Sequence, residues 1–151
     1  MNDSPLPSVS PAFRRLLLVT AVMLYLLIVA GIAVRVSATG GACPDWPACR
    51  FAEQNSSWWP AAHRLAALGS GLLMAAVTAW AWLRYRHLRW LSWSLAAALF
   101  LGAGQAWLGT RLVGPSPSLS ALHFGAALLV QTLVLMAGVA VSDRRLVTGD
   151  Q

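Results

Sequence analysis

The stretch "LLLVTAVMLYLLIVAGIAV", residues 16–34, runs for nineteen residues without a charge and is framed by Arg14 and Arg15 on one side and Arg35 on the other. As a helix it rises about 1.5 Å per residue, which just spans a hydrocarbon core roughly 30 Å thick. Runs of the same kind recur at about 63–83, 91–110 and 121–141. Between them lie segments rich in Pro, Gly, Ser and charge, which end helices: 35–62, the short basic "RYRHLRW" at 84–90, and "RLVGPSPSLS" at 111–120. The chain reads as an all-α, polytopic membrane four-helix bundle. Residues 1–13 form an N-terminal tail, 14–142 the transmembrane domain and 143–151 a C-terminal tail.

Composition agrees with this reading. Hydrophobic residues make up 58% of the chain and charged ones 11%, against about a quarter charged in soluble domains. Mean hydropathy is +0.62. The net charge of +6 could suggest nucleic acid, but the basic residues are all arginine and cluster at the ends of apolar runs. That is the pattern of topology signals rather than of a polar binding face, so nucleic acid is not an expected partner. Arg14, Arg15, Arg84, Arg86, Arg89, Arg144 and Arg145 fall on one side, and Arg35, Arg50, Arg64 and Arg111 on the other. The excess places both termini in the cytoplasm and residues 35–62 outside, in a plasma (inner) membrane. Trp80, Trp82, Trp90 and Trp93 mark the inner boundary, and Trp46, Trp58, Trp59 and Trp107 the outer one. A cleaved secretory signal ending at "VSA", 36–38, is the rival for the first run, but its apolar stretch exceeds the usual 7–15 residues of such signals. Either way the following loop lies outside.

That loop contains "CPDWPAC", with Cys43 and Cys49 six positions apart and Pro44 and Pro47 stiffening the turn. Outside the cytoplasm such a pair can oxidise. A structural disulfide and a reducible, redox-active pair both fit, the second with a thiol–disulfide or electron-donor partner. Zinc is poorly supported, because a closed site needs four ligands.

The three histidines separate clearly. His87 sits in the basic turn, where a solvated or headgroup-facing role is expected. His63 and His123 both open the motif H-x-x-A-A-L, and each stands at the outer end of an even-numbered span. The repeat makes the chain two helical hairpins related by a pseudo-twofold axis along the membrane normal. Ala66, Ala67, Ser70 and Met74 share the face of His63, and Ala126, Ala127 and Val130 that of His123. Alanines also serve helix packing in lipid. Ionisable side chains inside spans are costly, however, and point to function. Facing imidazoles in a bundle core with small neighbours suit a flat, apolar porphyrin bound through bis-histidine ligation. Arg35, Arg64 and Arg111 are on the side where haem propionates would need cations. Copper or zinc would lack a third ligand. The plain alternative is two histidines that only hydrogen-bond at the outer boundary.

These segments resemble the heme A synthase family. "VRVSATGGACPDWPACR", 34–50, is similar to its cysteine-containing segment after the first helix, "HRLAAL", 63–68, to the start of its second helix, and "GQAWLGTRLVGPSPSLSALHFGAALL", 104–129, to the stretch leading into its next ligand histidine. The resemblance implies oxidation of a ring methyl of heme O to the formyl of heme A, for terminal oxidases. By position it makes His63 and His123 axial ligands of haem b, heme O or heme A, and Cys43 and Cys49 the family's cysteine pair. This chain resembles one half of the eight-helix members, which implies a homodimer or pairing with another membrane subunit. In the catalytic half of the family a glutamate precedes the first histidine by three residues, whereas here that position is Pro60. Proline cannot transfer protons, though it suits a helix first turn. Glu53 and Asp45 are the only nearby acids to consider in its place. The alternative function is a non-catalytic b-type haem protein.

Overall fold

The computed structural model describes residues 9–36, 58–111 and 116–142. They form four helices: α1 (Pro11–Val36), α2 (Trp59–Arg84), α3 (Arg89–Arg111) and α4 (Pro117–Ser142). Each is long and apolar enough to cross a membrane. The helices start where backbone chemistry lets them. Ser10 and Ser116 precede Pro11 and Pro117, and their hydroxyls accept from the N–H groups of Phe13 (3.2 Å) and Leu119 (3.5 Å). A serine cap followed by proline at the first helical position satisfies one orphan donor and removes another. α2 has no side-chain cap but likewise has a proline, Pro60, in its first turn.

The helices run past the apolar runs that locate them. Residues 11–13, expected to belong to the N-terminal tail, are the first turn of α1, because Ser10 caps it and Phe13 is fully buried. α2 begins at Trp59, a turn before His63, which narrows the connection expected at 35–62. Between α2 and α3 the chain reverses tightly, with Tyr85 N donating to Ala81 O and Leu88 N to Tyr85 O, both at 2.8 Å.

The four helices form a ring in which α1 packs on α2 and α4, and α3 on the same two, while the diagonal pairs stay apart. The buried residues show why. They include Phe13, Leu17, Thr20 and Leu24 on α1, Ser70, Met74, Val77 and Ala81 on α2, Leu91, Leu95 and Ala98 on α3, and Val130, Val134, Ala137 and Val141 on α4. Within each of these sets the steps alternate between four and three residues, the heptad seam of left-handed bundles. The α2 and α4 sets coincide when shifted by sixty positions, the interval separating His63 from His123. The α1 set from Phe13 to Thr20 coincides with the α3 set when shifted by seventy-eight. The two pseudo-symmetric hairpins are therefore written into the packing itself.

This core occupies the half of the bundle that contains the α2–α3 turn. There Phe13 meets Tyr85 and Trp80 edge-on, with centroids at 5.0 and 5.9 Å, and Ser10 N donates to the Tyr85 hydroxyl at 3.0 Å. Thr78 Oγ1 donates to Leu95 O at 3.3 Å, joining α2 to α3. Beyond the level of Leu24 and Ser70, toward the opposite end, only Ala30 and Pro60 are buried among the described residues. The outward faces are apolar: on α1 alone Leu18, Val19, Val22, Tyr25, Leu26, Val29 and Ile32 are exposed. At about 1.5 kcal/mol or more per side chain, leaving these in water would cost of the order of 10 kcal/mol, the whole stability of an ordinary domain. Lipid removes that cost, so a bilayer is the solvent of this bundle.

Candidate cofactor site

His63 lies one turn inside α2, and His123 lies in the second turn of α4, at the end of the bundle away from the packed core. Because α2 and α4 are diagonal in the ring, the two histidines stand at opposite corners of it. With neighbouring helices about 9 Å apart, the diagonal is ~13 Å.

His63 Nδ1 is 3.3 Å from the Leu27 carbonyl oxygen of α1. A carbonyl can only accept, so Nδ1 carries the proton, and in the neutral ring Nε2 keeps its lone pair. This is the arrangement in which metal-ligating histidines are commonly held. The ring passes close to α1 at Gly31: a Cβ there would lie 3.1 Å from His63 Cε1 and 3.4 Å from Nδ1. In the second hairpin Gly109 of α3 faces His123, with a would-be Cβ 3.5 Å from His123 Cε1. Gly31 and Gly109 are again seventy-eight positions apart. Each histidine thus has a glycine opposite it on the partner helix of its hairpin, at the repeat interval set by the core.

The hairpins differ in their polar contacts. At Gln105, one turn before Gly109, the side-chain Nε2 donates to the main-chain oxygen of His123. His123 Nδ1 and Gln105 Oε1 are buried with no partner among the described residues, as are Ser70 Oγ and Gln131 Oε1. Ser70 lies about 10 Å along α2 from His63, and Gln131 Nε2 donates to Ala21 O at 3.3 Å. Buried polar atoms without protein partners are what a bound polar group or water satisfies.

Of the other expected site residues, Ala66, Ala67, Ala126 and Ala127 are half-buried on their histidines' helices. Arg35 is exposed in the last turn of α1, and Arg64 is partly exposed beside His63. Arg111 is the last residue of α3. Pro60 is buried in the first turn of α2. Cys43, Cys49, Asp45 and Glu53 lie outside the described residues. Among the described residues, no group of three or more His, Cys, Asp or Glu side chains comes together, so a metal ion held by these residues alone would be short of ligands. Two imidazoles with small neighbours suit a metal that brings its own equatorial ligands, as haem iron does. Gly31, Gly109 and the Leu27 carbonyl did not emerge from the sequence reading. The two glycines carried a signal, since an isolated glycine inside a helix usually has a packing reason; the carbonyl carried none.

The fold and site define a class: a membrane four-helix bundle made of two hairpins, each with one imidazole packed against a glycine of its neighbouring helix. The family profile described as cytochrome oxidase assembly protein (COX15-CtaA) matches residues 51–150, and the chain belongs to that family. It is similar to the heme A synthase of Bacillus licheniformis, with 28% identity over 144 residues covering 87% of this chain and 46% of the relative. It is also similar to the heme A synthase of Shouchella clausii, with 29% identity over 140 residues covering 86% of this chain and 46% of the relative. The chain spans about half the length of both curated relatives.

Proposed function

We propose that this chain is a heme A synthase-type membrane haem protein, acting in heme A formation for terminal oxidase assembly, in which His63 and His123 are the axial ligands of one haem. The observation that carries this reading is the pair of imidazoles on diagonal helices, each opposite a glycine at the repeat interval, with His63 held so that Nε2 is free. Bound haem would supply redox chemistry at its iron. The chain's own part is to hold the rings, to exclude water with the packed core beyond Ser70, and to offer Arg35, Arg64 and Arg111 to propionates at the boundary. Cys43 and Cys49 would serve as a disulfide or thiol pair exchanging electrons with a donor.

The relatives' activity converts heme O to heme A in this reading, and the half-length chain would reach a full set of sites as a homodimer or with another membrane subunit. A second reading, a non-catalytic b-type haem protein, is favoured by Pro60, which stands where a family glutamate is expected and cannot transfer a proton. The arginine distribution supports cytoplasmic termini and an extracytoplasmic histidine end.

One preparation tests these readings. The purified protein should show a low-spin bis-imidazole spectrum that is lost in both His63→Ala and His123→Ala, and should have the mass of two chains in mild detergent. Heme O or heme A among the extracted haems supports the enzyme; haem b alone supports the carrier. Purification without haem, or an unchanged spectrum in either variant, removes the ligand assignment.

A further inference from the structure

At the end of the bundle opposite the histidines, the α2–α3 turn frames a cleft of about 380 Å³ lined by Trp82, Arg86, His87, Arg89, Ser92 and Trp93. Its walls are the indoles of Trp82 and Trp93, set edge to face with centroids 5.4 Å apart, both well exposed. Arg86, His87 and Arg89 are exposed around its mouth. Ser92 is spoken for: its hydroxyl lies 3.5 Å from the Ala81 and Tyr85 carbonyl oxygens and bridges the turn.

Three features give the cleft a preference. Arg86 lies within the tight α2–α3 turn and Arg89 opens α3, and guanidinium groups match phosphate oxygens in fork geometry. α3 begins at Arg89, so the positive end of its dipole lies at the same place. All five acidic residues lie outside the described helices, so no described carboxylate neutralises these arginines. The apolar neighbour Leu83 is 80% exposed on the lipid-facing side. A ligand here meets cations at one end and indole and aliphatic surface at the other.

We propose that this cleft binds the headgroup of an anionic phospholipid, with the phosphate between Arg86 and Arg89 and an acyl chain along Trp82 and Trp93. The ligand is a lipid rather than free phosphate because the aromatic walls open to the bilayer and the charge sits at its boundary, where tryptophan and arginine anchor headgroups. The site does not depend on the haem reading.

The test is binding to the full chain in neutral detergent, followed by native mass spectrometry and by melting temperature, using phosphatidylglycerol, phosphatidylcholine and inorganic phosphate as separate probes. Phosphatidylglycerol should remain bound and raise the melting temperature, whereas the other two should not. Arg86→Gln with Arg89→Gln should weaken phosphatidylglycerol about thirtyfold, taking each arginine at its usual contribution near an anionic surface. Arg15→Gln with Arg84→Gln removes equal charge from the same end outside the cleft and should leave binding nearly intact. Trp93→Leu, at an exposed position, should weaken binding while folding is kept, which covers the case of a double arginine variant that fails to fold. Equal losses in the two arginine pairs would show a diffuse charge effect and overturn the site. An equal response to phosphatidylcholine, or to inorganic phosphate, would overturn the lipid assignment.

Discussion

Gly31 and Gly109 hold the same repeat position, yet the two hairpins do not leave their histidines the same room. A methyl group at Gly31 would sit 3.1 Å from His63 Cε1, tighter than ordinary contact, so the ring must give way and the 3.3 Å bond from Nδ1 to Leu27 O is strained with it. At Gly109 the same addition stops at 3.5 Å, an ordinary van der Waals distance. Alanine also gains about 0.5–1 kcal/mol of helix propensity at either site. Gly109→Ala should therefore keep haem and melt slightly higher, whereas Gly31→Ala should lose several-fold in haem retained per chain, both read from spectrum and protein mass. Equal haem loss in the two variants would show that the Leu27 contact does not position His63. At this scale the sequence disclosed the histidines, because an ionisable group in a span is costly enough to be noticed. It hid their support, since the acceptor at Leu27 is a main-chain oxygen and any residue type would supply it.

Along each helix the same limit takes another form. The four spans were legible from length and charge alone, and the hairpin repeat from H-x-x-A-A-L, but the seam that packs them was not. In a soluble bundle the buried stripe contrasts with a polar face; here Leu17 is buried and Leu18 is 64% exposed, yet both are leucine. Lipid and core are equally apolar, so the sequence carries no amphipathic mark of which face is which. Their energies still differ. Transfer from water no longer enters, which leaves the lost contacts and the cavity, so Leu17→Ala should fall at the low end of the usual range of about 2–5 kcal/mol for core leucines. Leu18→Ala, which faces lipid, should cost less than about 0.5 kcal/mol. Reversible unfolding in mixed detergent micelles measures both, and similar costs would contradict the assignment of the seam. The helices reach past the apolar runs for a related reason: Ser10, Pro11 and Trp59 are polar or aromatic, and caps and interfacial side chains let a helix continue beyond the hydrocarbon.

For the molecule as a whole, its two ends are chemically unlike, and that asymmetry favours one orientation in the membrane. One end has the packed core, the Tyr85 turn and, among the described residues, Arg14, Arg15, Arg84, Arg86 and Arg89; the other has the histidines with Arg35, Arg64 and Arg111. Arginine in short loops is retained on the cytoplasmic side, and the α2–α3 turn is too short to be translocated as an independent domain. The histidine end should then face outward together with the 37–57 connection. A chain with Cys43→Ser, Cys49→Ser and His87→Cys should react with a membrane-impermeant maleimide only after the membrane is opened, whereas Cys49→Ser alone, which leaves Cys43, should react in intact cells stripped of their outer layers. The opposite pattern would put the histidines in the cytoplasm, where a reducing environment keeps thiols reduced and leaves Cys43 and Cys49 no route to a stable disulfide. Orientation thus decides more than topology: it determines whether the cysteine loop and the two imidazoles can share one oxidising compartment, which the proposed redox role requires.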